Sequence, residues 1–374
     1  MSYIILSIPI FFFLIGIEFL ISYLKKSNLY RVEDAITNIS CGILMQLTEV
    51  FSKTVLIIGY TFLYNNYRLF TIPDTVLSYI FLFIGVDFLY YWFHRYAHEI
   101  NILWGAHIVH HQSEDYNLSV ALRQSSFQMF ISMIFYLPLS LLGFNPIAFL
   151  AMNAFQTLYQ FWIHTKTVDK LHPAIEYIFA TPSNHRVHHG RNPQYVDKNH
   201  GGTLIIFDRM FGTYQLEEEE VVYGIVKPLA SWNPFWANFD CYADIWRDLK
   251  RPMSFTDKVK LLYKKPGWLP AGQGGFRKPE AVADSFKKYS TSVSPKLNYY
   301  ILFQYVVLLA AVFYFLFTFN NFDQFEKILI AAVVTLSVVI FGGLMEGKQW
   351  AKPGEVFRLA AVTGLCFIVI WCRV

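Results

Sequence analysis

TVLSYIFLFIGVDFLYYWFHRYAH, residues 75–98, joins an apolar run directly to a pair of histidines. Asp87 is the one charged residue between Thr75 and Phe93, and a bilayer core takes roughly 20 apolar residues as helix. His94 and His98 follow at i and i+4, on one face and one turn apart, where two imidazoles can share a metal ion. Asp87 and Tyr91 fall on the same stripe, so a carboxylate and a phenol point toward the ligands. A membrane helix that ends in paired imidazoles predicts an all-α, multi-pass transmembrane protein. Its histidine-rich two-metal cap would lie at the membrane surface, on the cytoplasmic side.

The rest of the chain extends this reading. Hydrophobic residues make up 55% of it, charged residues 16% and aromatic rings 18%, a balance that favours a membrane protein with aromatic belts over a soluble domain. Seven further apolar stretches of near-spanning length occur at 3–24, 39–64, 127–142, 147–163, 299–319, 328–344 and 357–371. The second carries Glu49 and Lys53 at a spacing that lets them pair. Gly143, Asn145 and Pro146 separate the stretches at 127–142 and 147–163, ending one helix and starting the next. The last three stretches are short or interrupted enough to lie in the interface instead.

The first stretch lacks a basic lead-in and a small-residue cleavage site, and is expected to remain as an anchor. Lys25, Lys26 and Arg31, with the basic residues between Lys166 and Lys288, put the histidines on the cytoplasmic side. A net charge of +4 without a basic cluster gives no nucleic-acid surface. Cys41, Cys241, Cys366 and Cys372 are scattered and form no disulfide or zinc-ribbon spacing. The acidic run from Glu217 to Glu220 reads as a solvated turn. The expected divisions are N-terminal spans at 1–74, a catalytic region at 75–266, a Gly- and Lys-rich linker at 267–296 and C-terminal spans at 297–374. Within the catalytic region, a hairpin is expected around Gly201, Gly202 and Gly212.

All eleven histidines lie between His94 and His200. Beyond His94 and His98, the spacing HxxHH occurs twice, as His107, His110 and His111 and as His185, His188 and His189. Each trio covers about a third of a helix circumference. Thr181 is placed to cap the helix that carries the last trio, with Pro182 in its first turn and Gly190 at its left-handed end. His98 and His107 would face apart on one continuous helix, so a bend is required, expected at Gly105. Gln156, Gln160 and His164 form a polar stripe on an apolar helix. It reads either as helix–helix hydrogen bonding or as a ninth ligand with supporting amides. His172 precedes a proline and His200 precedes two glycines, and both are set outside the ligand set.

Nine imidazoles exceed one tetrahedral site and suit two five- or six-coordinate ions with room for a small ligand. Imidazole alone does not distinguish iron from copper, zinc or nickel. Glu99, Glu114, Asp115 and Asp208 are candidates to fix the ligand tautomers, although each could equally be a cap or a surface charge.

The three histidine motifs resemble those of the fatty acid hydroxylase and sterol desaturase superfamily of membrane di-iron enzymes. The stretches YWFHR (91–95), SEDYNLS (113–119), QFWIHT (160–165), TPSNHRVHHGRN (181–192) and FDRMFGT (207–213) look most like the alkylglycerol monooxygenase family within it. The dense resemblance covers about residues 87–267, and His172 and His200 are not part of it. It implies two iron ions, dioxygen, a tetrahydropterin reductant and a lipid substrate drawn from the bilayer, oxidised at the carbon next to an ether oxygen. It also implies residence in the endoplasmic reticulum of a eukaryote or the cytoplasmic membrane of a bacterium. No pterin motif is readable, so an external electron donor stays open. The other readings are a fatty acid or sterol hydroxylase with the same centre, or a metal transporter. Transport fits less well, because transporters bind near the midplane on broken spans and these motifs lie at span ends.

Overall fold

The structure is a computed structural model that describes residues 3–279, 282 and 286–371. Among these residues it has fifteen α-helices and no strand, with two isolated bridges, Phe179 to Leu204 and Gly190 to Tyr223. In chain order the helices are α1 (Tyr3–Lys25), α2 (Val32–Tyr67), α3 (Val76–Glu99), α4 (Asn101–His111), α5 (Gln128–Leu142), α6 (Pro146–Trp162), α7 (Pro173–Ile178) and α8 (Pro182–His188). They continue as α9 (Ile206–Phe211), α10 (Pro234–Ala237), α11 (Asp240–Leu249), α12 (Phe255–Tyr263), α13 (Pro295–Phe317), α14 (Gln324–Met345) and α15 (Ala351–Trp371).

Five helices, α1, α2, α3, α13 and α14, are long and apolar enough to cross a membrane, and the protein is a multi-pass integral membrane protein. This is fewer than the eight apolar stretches of the sequence. The hairpin helices α5 and α6 have only 15 and 17 residues. The last helix, α15, carries Lys352, Glu355 and Arg358 in its first half, with Arg358 paired to Glu355. In the other direction, α2 reaches 36 residues. Its first half is polar yet buried, because Asp34, Thr37, Asn38 and Ser40 serve as a wall of the site.

The hairpin closes as its residues require. Gly143 takes φ 102°, and a β-carbon there would lie 2.0 Å from the Phe70 carbonyl oxygen. Asn145 then accepts from the Ile147 amide and Pro146 opens α6. In the catalytic half, α3 packs against α4, α5 and α6. A second apolar core joins α2 to α13 and α14 through Ile36, Leu44, Leu47, Tyr305, Phe315 and Phe341. It stabilises the long wall against which the histidine-bearing helices stand.

Three local expectations differ from the structure. The bend between His98 and His107 falls at Ile100, whose extended backbone (φ −117°, ψ 118°) separates α3 from α4. Gly105 lies inside α4, where a β-carbon would come within 2.7 Å of the Tyr242 ring, so its role is close packing. Gly190 is likewise not left-handed; α8 ends at His188, and Tyr195 fills the space a side chain at Gly190 would need. The expected hairpin near Gly201 is the short helix α9, and Gly212 closes it at φ 75°. Cys372 lies outside the described residues, whereas Cys41, Cys241 and Cys366 are free thiols.

Candidate metal centre

Four elements deliver imidazoles to one buried place. The last two turns of α3 bring His94 and His98, α4 brings His107, His110 and His111, the residues just after α6 bring His164, and α8 with the residue after it brings His185, His188 and His189. Thr181 caps α8 by accepting from the Asn184 amide, with Pro182 in the first turn. The nitrogens sort into two groups. His94, His98, His107, His111 and His188 form one, and His110, His164, His185 and His189 form the other, each with its atoms within 4.8 Å of one another. All nine are buried.

The surroundings fix the tautomers. His94 Nδ1 lies 2.8 Å from the His200 carbonyl oxygen, His107 Nδ1 2.6 Å from Gln128 Oε1 and His110 Nδ1 2.9 Å from the Arg123 carbonyl oxygen. His164 Nδ1 lies 2.7 Å from the Gln160 carbonyl oxygen and His188 Nδ1 2.9 Å from that of Lys198. An oxygen of this kind only accepts, so each Nδ1 donates, and each neutral ring turns a bare Nε2 lone pair inward. His94 Nε2 and His107 Nε2 then face each other at 2.9 Å, and His110 Nε2 and His164 Nε2 at 3.1 Å. Two lone pairs at that distance repel unless a cation lies between or beside them.

A proton fits poorly there. Burial pushes His107 and His164 down to about 4 and His188 to about 3. Neutral inward-facing nitrogens are the state that binds a metal ion, and Nε2 of His98, His188 and His189 is buried without any other partner. The residues present therefore fit two metal ions, one per group.

The carboxylates expected beside the ligands lie elsewhere. Glu99 pairs with Arg95 at 3.4 Å and Lys265 at 3.6 Å. Asp115 accepts from Arg31 and Lys288, both at 2.6 Å, and Glu114 from the Tyr289 amide at 2.5 Å. Asp87 accepts from Gln156 at 2.6 Å and from the amides of Thr203 and Leu204 at 2.8 Å, tying α3 to α6 and to the loop before α9. Asp208 holds the amides of His200 and Gly201 and the Thr213 hydroxyl, all at 2.7 Å. Burial pushes its carboxyl up to about 6. Tyr91 bonds Thr213 at 3.0 Å, and the Gln160 side chain accepts from Tyr90 at 2.6 Å. Asp87 and Asp208 thus act through the loop whose His200 carbonyl orients His94, and Gln160 acts on His164 through its backbone. Among the described residues, Asp197 is the one carboxylate within ion-pair distance of a ligand ring, 3.8 Å from His98 Nδ1.

Sequence reading passed over Gln128 and Arg123. Gln128 carried one signal, a polar side chain at the head of an apolar stretch. Arg123 is fully buried and spends its guanidinium on the Val109 carbonyl, Asn38 and Gln112 at 2.7–3.1 Å, which fixes the backbone that receives His110. His200, set aside in the sequence, is wholly buried beside the five-histidine group, whereas His172 caps α7 at a distance from it.

A cavity of about 620 Å³ opens against His107, His110 and His164, where the two groups meet. Its walls are Phe11 and Phe12 of α1, Ile39 and Ile43 of α2, Met129 and Met133 of α5, Leu150 of α6 and Leu309 and Phe313 of α13. Gln124, Gln128 and Gln160 line it beside the histidines. Leu150 and Phe161, both in its wall, are separated by about 16 Å along α6 at roughly 1.5 Å per residue. The cavity is thus long and mostly apolar, with the paired Glu49 and Lys53 of α2 as the charged side chains in its wall.

The fatty acid hydroxylase family profile matches residues 79–213, the segment that carries all nine histidines. The chain is 39% identical to human alkylglycerol monooxygenase over 359 residues, covering 94% of this chain and 79% of the relative. It is 38% identical to the zebrafish alkylglycerol monooxygenase, covering 95% and 80%. An ornithine lipid hydroxylase from Rhizobium tropici is 30% identical over 129 residues, covering 34% of this chain and 39% of the relative. No solved structure matches the chain significantly.

Proposed function

We propose that this chain, which belongs to the alkylglycerol monooxygenase family and is a membrane lipid monooxygenase, cleaves the ether bond of alkylglycerols. The observation that carries the substrate class is the cavity, an apolar channel whose only imidazole-lined end is the junction of the two groups. A single long alkyl chain lying along α6 places its last carbons, and the ether oxygen, beside His107, His110 and His164. Gln124, Gln128 and Gln160 there offer amide groups for glycerol hydroxyls, while the walls exclude water from the chain.

Two iron ions, held by His94, His98, His107, His111 and His188 on one side and His110, His164, His185 and His189 on the other, would supply the activation of dioxygen. One oxygen atom would enter the C–H bond next to the ether oxygen and the other would leave as water, with the two electrons and two protons coming from a tetrahydropterin. The hydroxylated product is a hemiacetal, which collapses to an aldehyde and free glycerol. The protein's own residues hold the nine imidazoles neutral and oriented, position the chain and keep the reacting carbon dry.

Residues 75–266 would form the catalytic unit, between spans at 1–74 and 297–374 joined by the linker at 267–296. The histidine face would lie toward the cytoplasm, in the endoplasmic reticulum of a eukaryote or the cytoplasmic membrane of a bacterium. The test supplies the purified protein with an alkylglycerol, a free fatty acid or a sterol, with and without tetrahydropterin. Aldehyde release from the alkylglycerol, dependent on the pterin, is expected; turnover only of the fatty acid or sterol, or only without pterin, would overturn the reading.

A further inference from the structure

The chain carries a tenth buried imidazole beside the metal groups. His200 is 0% exposed, and its ring centroid stands 5.0 Å from that of His98 and 5.6 Å from those of His94 and His188. Separations within the five-histidine group overlap this range, for example 5.1 Å between His98 and His107 and 5.2 Å between His94 and His98. Neither ring nitrogen of His200 makes a hydrogen bond of good geometry, although the Asp197 backbone lies close enough to interact with the ring. A neutral imidazole carries one donor and one acceptor, so at least one of the two is buried unmet by protein, which is costly. Among the described residues, the other histidines with an orphaned buried ring nitrogen are His98, His188 and His189, all members of the two groups.

The backbone around His200 is pinned on every side. Its amide donates to Asp208 at 2.7 Å, its carbonyl receives His94 Nδ1 at 2.8 Å, and the next residues are held by Asp208 and Asp87. The Asn199 backbone before it sits at φ 55°, in the left-handed region. A buried imidazole on a backbone held this firmly, and outside the cavity's lining, is poorly accounted for by core filling. Five imidazoles leave one place of an octahedral ion unfilled.

We propose that His200 is a sixth imidazole ligand of the five-histidine site. The proposal rests on the two-metal reading above, and it makes the centre asymmetric. An ion in the six-histidine site would be coordinatively filled, and one held by His110, His164, His185 and His189 would keep open places.

The test is a cobalt(II) titration of the metal-free full-length protein in detergent, followed by visible absorption and by metal analysis. Two equivalents bound by the unaltered chain support the two-metal reading, and fewer would sink that reading independently of His200. In His200→Ala, one equivalent should bind more weakly by at least the roughly 10–100-fold that loss of a ligand's hydrogen-bond partner costs, while the other is unchanged. The cobalt absorption should strengthen as a six-coordinate ion loses a ligand, and added imidazole should restore both affinity and spectrum. Two unchanged equivalents with an unchanged spectrum would remove His200 from the ligand set. Loss of both equivalents without imidazole rescue would overturn the proposal in favour of a packing role. If His200→Ala does not fold, His200→Gln, close in volume, carries the same titration with the same expected weakening of one equivalent.

Discussion

His94 and His107 face each other through their Nε2 atoms at 2.9 Å, while the Nδ1 of each is committed to an oxygen, the His200 carbonyl for one and Gln128 for the other. The two rings come from helices separated by the extended residue Ile100, so the approach is imposed by tertiary structure rather than by motif spacing. Without a cation such a pair is repulsive, and the fold holds it together at a cost in stability that metal binding offsets.

Metal removal should therefore loosen the protein. A ligand present at 1,000 times its Kd stabilises the state that binds it by about 4 kcal/mol. Chelation should lower the thermal midpoint by several degrees, and readdition of iron(II) should restore it. A midpoint indifferent to chelation would argue that the imidazole groups are held by protein contacts alone.

Gln128→Leu removes the acceptor that fixes the His107 tautomer and keeps the apolar volume. One of two metal equivalents should weaken by about 10–100-fold, with the four-histidine site unaffected. Metal titration of the variant measures this, and equal affinity at both sites would show that the His107 tautomer is set by some other contact.

Acidity should act on the metal-free protein in a defined window. His107 and His164 are pushed down to about 4 and His188 to about 3 by burial, against about 6.5 in the unfolded chain. The unfolded state then binds more protons than the folded state between those values, so stability falls as pH drops from about 6.5 toward 4 and, through His188, on to about 3, levelling off below. Denaturant midpoints of the metal-free protein from pH 7.5 to 4.5 would record it, and a flat profile would contradict neutral burial of these rings.

Leu150→Trp should shorten the lipid that the cavity accepts. Leu150 lines the cavity about 16 Å along α6 from Phe161, the lining residue next to His164, at roughly 1.5 Å per residue. Turnover of long-chain alkylglycerols should fall at least tenfold while a short-chain analogue is retained. Equal loss for both lengths would show that the chain does not lie along α6.

Much of this was legible in the sequence because the relevant signals are local. The span ending in His94 and His98 and the two HxxHH trios declare themselves by spacing, and Thr181 with Pro182 declares the start of α8. Long-range relations were not legible. The oxygens that fix the tautomers belong mostly to backbone carbonyls, which every residue has, so acidic side chains such as Glu99 and Glu114 drew the attention instead. Ile100 bends the chain without glycine or proline, and the apolar stretch of α2 was read as starting only at Ile39, because the partner that Arg123 gives Asn38 is a long-range contact. His200 lies outside every motif, and its place beside His98 is set by Asp208, eight residues later.

Nine imidazoles arranged as two metal sites can be counted by elemental analysis of protein expressed with abundant iron and purified in detergent. Two iron ions per chain are expected, falling to one when His185 and His189 of the four-histidine site are replaced together. One metal per chain in the unaltered protein, or zinc alone despite the iron, would contradict this arrangement.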